Sequence, residues 1–305
     1  MTNEQPADNA RVVAHGTAYA LAVTSMVIWG SPPVVTRAIS GDVPPLALAF
    51  ARWFIALAIL LPLVWRKLPA EWPNLRRHWV SLALLATLMT AGSTLSMLAV
   101  YFTTATNAVL VNASQPAVTA VFAWLIARLG LTGRQRAGIA CAFLGIVVMI
   151  CRADLRVLLA LEINVGDLLM LMAVVGWSLY AVQLPRRGYI PRGDVLLFVI
   201  ALSGSVMLLP LYAAEAHVVG GFELGWDVLA AMLYLALFPT MLAVFAWNLA
   251  LRSLGANRAA IFVNLIPVSG AALAMVFLGE RLFLYHLIGA ALVFAGIFLA
   301  TRRAA

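Results

Sequence analysis

Apolar stretches recur from one end of the chain to the other, divided by short connections that hold most of its charge. A bilayer span takes about 20 mostly apolar residues. Ten spans are predicted, over residues 17–39, 44–65, 79–101, 104–127, 134–151, 166–186, 194–214, 228–250, 256–279 and 282–301. The residues before the first span are polar, with Glu4, Asp8 and Arg11, and form a predicted cytoplasmic tail over 1–16. No small-residue cleavage site follows the first apolar run, which is therefore expected to stay in place as a signal anchor. Composition strengthens this picture, because 64% of the 305 residues are hydrophobic and only 10% are charged. Soluble domains sit near one-half and one-quarter. The expected fold is an all-α integral membrane protein of ten transmembrane helices, with little chain left for a soluble domain.

A net charge of +8 can mean an acidic partner, so the placement of the 20 Lys and Arg residues decides its meaning. With the N-terminus inside, fifteen fall at cytoplasmic positions: Arg11, Arg66, Lys67, Arg76, Arg77, Arg128, Arg134, Arg136, Arg186, Arg187, Arg192, Arg252, Arg258, Arg302 and Arg303. Only Arg37, Arg152, Arg156 and Arg281 fall outside. That asymmetry is the positive-inside bias of an even number of spans with both termini cytoplasmic. The basic charge is an orientation signal, and no nucleic acid partner is expected. Cys141 and Cys151 share one predicted helix at about 15 Å, too far for a disulfide, and read as small packing residues.

The chain also repeats itself. Trp29 and Trp177 are 148 residues apart, as are Pro62 and Pro210. After a slip of three the offset becomes 151, for Pro116 and Pro267, Gly138 and Gly289, Gly145 and Gly296, and Arg152 and Arg303. A constant offset in the same order marks two homologous halves: a first five-helix repeat over 17–155, a connecting loop over 156–165 and a second repeat over 166–303. A unit of five spans is odd, so its second copy must enter the membrane from the opposite face. Two inverted five-helix repeats around a central cavity are the architecture of many secondary transporters.

Several short motifs carry a family resemblance: Ile28-Trp29-Gly30-Ser31, Ala51-Arg52-Trp53-Phe54, Ala256-Asn257-Arg258-Ala259, Leu278-Gly279-Glu280-Arg281 and Ile288-Gly289. In their order and spacing, over residues 17 to 303, the chain resembles the drug/metabolite transporter superfamily of the EamA type. The resemblance implies export of small metabolites across a bacterial inner membrane, with YddG-like exporters of aromatic and other amino acids as the nearest subgroup. One position departs from internal symmetry: where the second half has Glu280, the first has Leu129. Small four-span multidrug relatives use a membrane-buried Glu in their first helix, whereas residues 17–39 contain no carboxylate. Coupling to protons by that route is not expected.

Depth within each span places the candidate site. Trp29, Thr90, Ser93, Gln115, Trp177, Thr240 and Asn264 stand near the midpoints of six predicted helices. Polar side chains at that depth are costly unless they meet a partner or a wet cavity. Asn112 lies one turn from Gln115 on the same helix face, and Tyr180 lies one turn from Trp177. Pro116 and Pro267 free the carbonyl one turn earlier, and freed carbonyls are tolerated where they line a cavity. The nine candidate substrate contacts are therefore Trp177, Gln115, Trp29, Asn112, Ser93, Asn264, Thr90, Tyr180 and Thr240. Ser and Thr can instead bond back to their own helix, and the tryptophan pair can serve packing.

Other marked residues read as structural. Arg52 is expected to snorkel or to pair with Asp42. Asp167 and Asp227 read as helix caps, Glu280 as the residue fixing the turn into the tenth helix, and the Gly pairs as close packing or a dimer contact. His286 stands alone inside a span. The chain has no GxxxxGK[ST] loop, HExxH, CxxC or GxSxG, so neither an ATP motor nor a metal or hydrolase centre is expected. No cofactor is expected, and the partners are the bilayer and a small-molecule substrate. The expected function is alternating-access export of small metabolites, amino acids first, with drug export or a channel as the alternatives.

Overall fold

The computed structural model describes residues 14–128, 132–154, 164–255 and 262–301. Among them the chain is helical and has no strand. Eight helical stretches are long and apolar enough to cross a membrane: His15–Ala38, Pro45–Val64, Trp79–Phe102, Ala105–Ile126, Gly133–Ile150, Val165–Arg186, Gly193–Val219 and Trp226–Leu254. Two shorter apolar helices, Leu265–Leu278 and Leu284–Leu299, follow. Most of the tail at 1–16 and of the loop at 156–165, the Ala256–Ala259 motif at the start of the ninth predicted segment, Leu129, Arg156, Arg302 and Arg303 lie outside the described residues.

Several stretches are built from two pieces. Helices α1 (His15–Gly30) and α2 (Pro32–Ala38) divide at Ser31, whose hydroxyl donates back to Ile28 O at 2.7 Å just before two prolines that lack an N–H. Helix α3 (Pro45–Val64) opens on proline, favoured at a first turn. The short α4 (Leu68–Arg77) carries Glu71, Arg76 and Arg77 and buries only Leu75, as an interfacial helix does. It leads into α5 (Trp79–Phe102), then α6 (Ala105–Asn112), α7 (Gln115–Ala127) and α8 (Gly133–Ile150). The second half follows as α9 (Val165–Gln183), α10 (Gly193–Val219), α11 (Trp226–Leu237), α12 (Ala243–Leu254), α13 (Leu265–Leu278) and α14 (Leu284–Thr301). Thr104 caps α6, Thr132 and Gln135 form a capping box on α8, and Asn164 accepts from Gly166 N–H at 2.7 Å to start α9. Gly279, at φ 64°, closes α13 in the left-handed conformation that glycine adopts without a steric cost.

Packing runs between the halves more than within them. The most extensive helix pairs are α8 with α14, α5 with α9, α3 with α10 and α1 with α12. The α8–α14 seam depends on glycine, because a Cβ on Gly145 would lie 2.6 Å from Gly289 O. Backbones that approach so closely gain dispersion contacts that lipid tails cannot displace. These glycines thus pack on one another inside the chain. One apolar core gathers Leu48, Trp53, Leu60 and Leu235; another gathers Val100, Val111, Met149 and Met170. Phe54, Leu63, Val206, Leu211, Val276 and Phe277 face outward, a surface matched to hydrocarbon and not to water. Exposed Trp65, Trp79 and Trp226 stand at helix ends and exposed Trp72 on the short α4, where amphipathic rings suit the headgroup region.

Long-range polar contacts tie the helix ends. Glu280 accepts from Ala105 N at 2.9 Å and Thr106 N at 2.8 Å, so it caps α6 across 175 residues instead of only fixing its own turn. Glu215 likewise accepts from Leu46 N at 3.2 Å and Ala47 N at 2.8 Å, at the start of α3. Lys67 pairs with Asp194 at the start of α10. Asp167 is buried and accepts from the Thr103 hydroxyl at 2.6 Å and from the Asn107 amide, binding α9 to the α5–α6 corner. His286 accepts from Phe283 N at 3.1 Å, which makes it a cap for α14. In the loop before α10, the Tyr189 hydroxyl donates to Glu71; burial, and then that carboxylate, push the phenol above its usual range.

Candidate functional site

The fourth predicted span is interrupted. Helix α6 ends at Asn112, two turn residues follow, and α7 begins at Gln115 with Pro116 as its second residue. The break is tightened by Ser114, which donates to Val111 O through its hydroxyl at 2.6 Å and its N–H at 3.1 Å. The ninth span breaks at the matching place: turn residues Val263 and Asn264 precede α13, whose third residue is Pro267. Proline's missing N–H and bulky ring explain both interruptions.

The two interruptions meet. Asn112, Gln115, Pro116 and Thr119 from one, and Asn264 and Pro267 from the other, line a cavity of about 340 Å³ that Phe294 of α14 completes. That volume suits a small metabolite. Asn112 Oδ1 is buried without a partner and so can accept from a guest. Thr119 is fixed by donation to Gln115 O at 2.7 Å, and its oxygen lies 3.0 Å from Ser178 Oγ on α9. Half-helices that start at mid-membrane also turn the positive end of their dipoles inward.

The other sequence candidates lie elsewhere. Trp29 donates from Nε1 to Pro239 O at 3.0 Å, and its ring sits 5.9 Å from that of Trp247. Trp177 packs on Gly92, where a Cβ would meet Trp177 Cδ1 at 3.0 Å. Each tryptophan thus braces a helix contact between the halves. Ser93 and Thr90 are buried on α5, and Thr90 Oγ1 has no partner. Tyr180 packs beside the first core. Thr240 lies in a π-helical turn, Phe238–Leu242, between α11 and α12, where Pro239 cannot continue the α pattern.

That turn holds a residue which the sequence pointed to only weakly. Arg52 on α3 is 8% exposed; its Nε donates to Thr240 Oγ1 at 3.1 Å, and its Nη1 lies 3.7 Å from Met97 Sδ. The guanidinium carbon stands 4.7 Å from the Trp53 ring centre, a cation–π distance. It neither snorkels nor pairs with Asp42; among the described residues the ion pair is Lys67 with Asp194. The available signal was its isolation, as the one charge in the span 44–65.

Spans packed around a polar-lined cavity at two interrupted helices define a multi-pass membrane protein with the site geometry of a secondary transporter. The model of the EamA-like transporter family matches residues 16–151 and again 164–302, and the chain belongs to that family, a membrane transporter family of the drug/metabolite transporter superfamily. An uncharacterized transporter of Archaeoglobus fulgidus is 28% identical over 290 residues, covering 93% of this chain and 96% of its own length. The uncharacterized transporter YyaM of Bacillus subtilis is 25% identical over 264 residues, 86% of each chain. A Salmonella typhimurium protein named a probable amino-acid metabolite efflux pump is 28% identical over 297 residues, 92% of this chain and 93% of its own. A solved crystal structure of a protein 19% identical aligns over 94% of this chain and 97% of the other with a TM-score of 0.57, a likeness of fold.

Proposed function

We propose that the protein exports small metabolites, amino acids including aromatic ones foremost, across a bacterial inner membrane by alternating access of two inverted five-helix halves. The observation that carries this is the meeting of the two proline-interrupted spans at one cavity lined by amides. Interrupted segments at corresponding places in two halves are the best pointer to a carrier's site.

Three further observations support it. The two stretches that match the family, 16–151 and 164–302, are offset by the same 148 to 151 residues as the Trp and Pro pairs. Helices α3 with α10 and α8 with α14 each pack an element on its own repeat mate, as elements beside a two-fold axis must. The Salmonella relative's name includes amino-acid metabolite efflux. In this arrangement the chain crosses ten times, both termini are cytoplasmic, and the substrate contacts are Gln115, Asn112 and Asn264 at the cavity. With no carboxylate in the first span, the export is facilitated and needs no proton.

Transport by proteoliposomes of a panel of radiolabelled amino acids, with and without an imposed pH gradient, tests the proposal. Saturable flux of one class without a gradient is expected. A strict need for the gradient removes the facilitated mechanism, and absence of flux for every amino acid removes the substrate class. Unsaturable flux would favour a channel.

A further inference from the structure

Arg52 is the one lysine or arginine buried among the described residues. It is the eighth residue of α3, about 10 Å along the axis from the first, beyond easy reach of the headgroups. Its side chain turns inward toward α5 and the π turn. Leaving a cation there unpaired carries a desolvation penalty that persists after relaxation. The cation–π contact with Trp53 recovers only part of that.

The guanidinium is under-used. Of the five N–H donors an arginine carries, one reaches a hydroxyl and one faces a thioether, a weak acceptor. The hydroxyl is positioned to hold the group still, because Thr240 donates to Leu235 O at 2.9 Å and so turns a lone pair toward Nε. Single π turns of this kind occur frequently at functional sites. Trp53 Nε1 and Thr90 Oγ1 are also buried without partners. Both side chains converge on Gly204, where a Cβ would lie 3.0 Å from Thr90 Oγ1 and 3.1 Å from Trp53 Cγ. Around Arg52, donors therefore outnumber acceptors, and no charged acceptor meets the guanidinium.

We infer that Arg52, positioned by Thr240, recognises a carboxylate on the transported metabolite. This rests on the reading of the chain as a metabolite exporter and names the chemical handle its substrate must carry. A carboxylate matches the planar fork with two parallel bonds and neutralises the buried cation. One cation suits a monoanion; a phosphate dianion would leave a buried negative charge. Met97 and Trp53 give the handle an apolar wall.

Purified full-length protein in detergent micelles is titrated with L-phenylalanine and 3-phenylpropionate, and with phenethylamine and 3-phenylpropionamide as matched ligands lacking a carboxylate. Thermal stability and tryptophan emission report binding. The two carboxylates are expected to raise Tm and the amine and amide to leave it unchanged. Arg52→Met should weaken both carboxylates at least about tenfold, and Arg52→Lys should recover part of the loss. Thr240→Val, a positioning change, should weaken them by about threefold and serves, with Arg52→Lys, if Arg52→Met does not fold. Amine or amide binding as well as the acids, no binding of either acid, or acids binding every variant unchanged would each overturn the inference. Failure of transport would remove the export proposal, whereas Arg52-dependent binding of acids would still uphold this one.

Discussion

At one end of the bundle, carboxylates of the second half reach bare helix starts of the first: Glu280 on α6 and Glu215 on α3. At the other end, Lys67 of the first half reaches Asp194 at the start of α10. Residues 46 and 194, and 67 and 215, are each 148 apart, so the contact of Glu215 with Leu46 and that of Lys67 with Asp194 occupy repeat-related positions. The chemistry differs. Glu215 and Glu280 each accept two backbone N–H groups that otherwise have no helical partner, the stronger kind of bond. Lys67 and Asp194 are 44% and 21% exposed, and such pairs contribute little in water. Glu280 has no acidic mate, since the equivalent position is Leu129. The difference is one of kind: backbone caps join the halves at the Glu280 end, and side-chain pairs, Lys67 with Asp194 and Tyr189 with Glu71, join them at the other. If the halves alternate as proposed, the Lys67 end is the one that parts more easily, and the proposed orientation makes it the cytoplasmic, loading end.

The most disruptive test is Glu280→Ala, expected to lose roughly 2–3 kcal/mol of stability from two charge-assisted bonds, read as a lowered Tm in micelles. An unchanged Tm would dissolve the contrast between the ends. The same substitution sharpens it when combined with Gln115→Cys in a background without Cys141 and Cys151. An impermeant thiol reagent applied outside should then label position 115 faster than it does when Glu280 is intact. Glu215→Ala comes next, at about 1–2 kcal/mol, since one of its bonds is the longer at 3.2 Å.

Between the ends, Gln115→Ala is expected to lower flux about fivefold, the value of one hydrogen bond, while membrane insertion and Tm stay near wild type; Trp177→Ala, which removes a brace between the halves, is expected to lower Tm as well as flux. Wild-type flux in Gln115→Ala would remove it from the site, and an unchanged Tm in Trp177→Ala would remove the brace. The smallest effect belongs to Lys67→Met, below about 1 kcal/mol and shrinking as salt is raised. A loss as large as that of Glu280→Ala would reverse the assignment of the weaker end.

Much of this was legible before any coordinates. The predicted span 134–151 is found as Gly133–Ile150 and 44–65 as Pro45–Val64, because apolar length and flanking charge are local properties. Pro116 and Pro267 pointed to the layer where the cavity lies, because proline acts on its own helix. Contacts across the sequence were not legible. Nothing near Glu280 announces Ala105, and nothing near Arg52 announces Thr240, since those pairs exist only once the halves pack. Trp29 and Trp177 were legible as a pair but not by partner: each meets the other half's helix at Pro239 and Gly92.

In the proposed cycle the two halves of this EamA-family chain alternate around the cavity where the interrupted helices meet. Counterflow tests it most directly: proteoliposomes loaded with unlabelled L-phenylalanine are diluted into a trace of the labelled form with no gradient imposed. A transient overshoot of label inside, saturating with substrate and weakened by Gln115→Ala, is expected. Label that only equilibrates, at a rate linear in concentration, would contradict it.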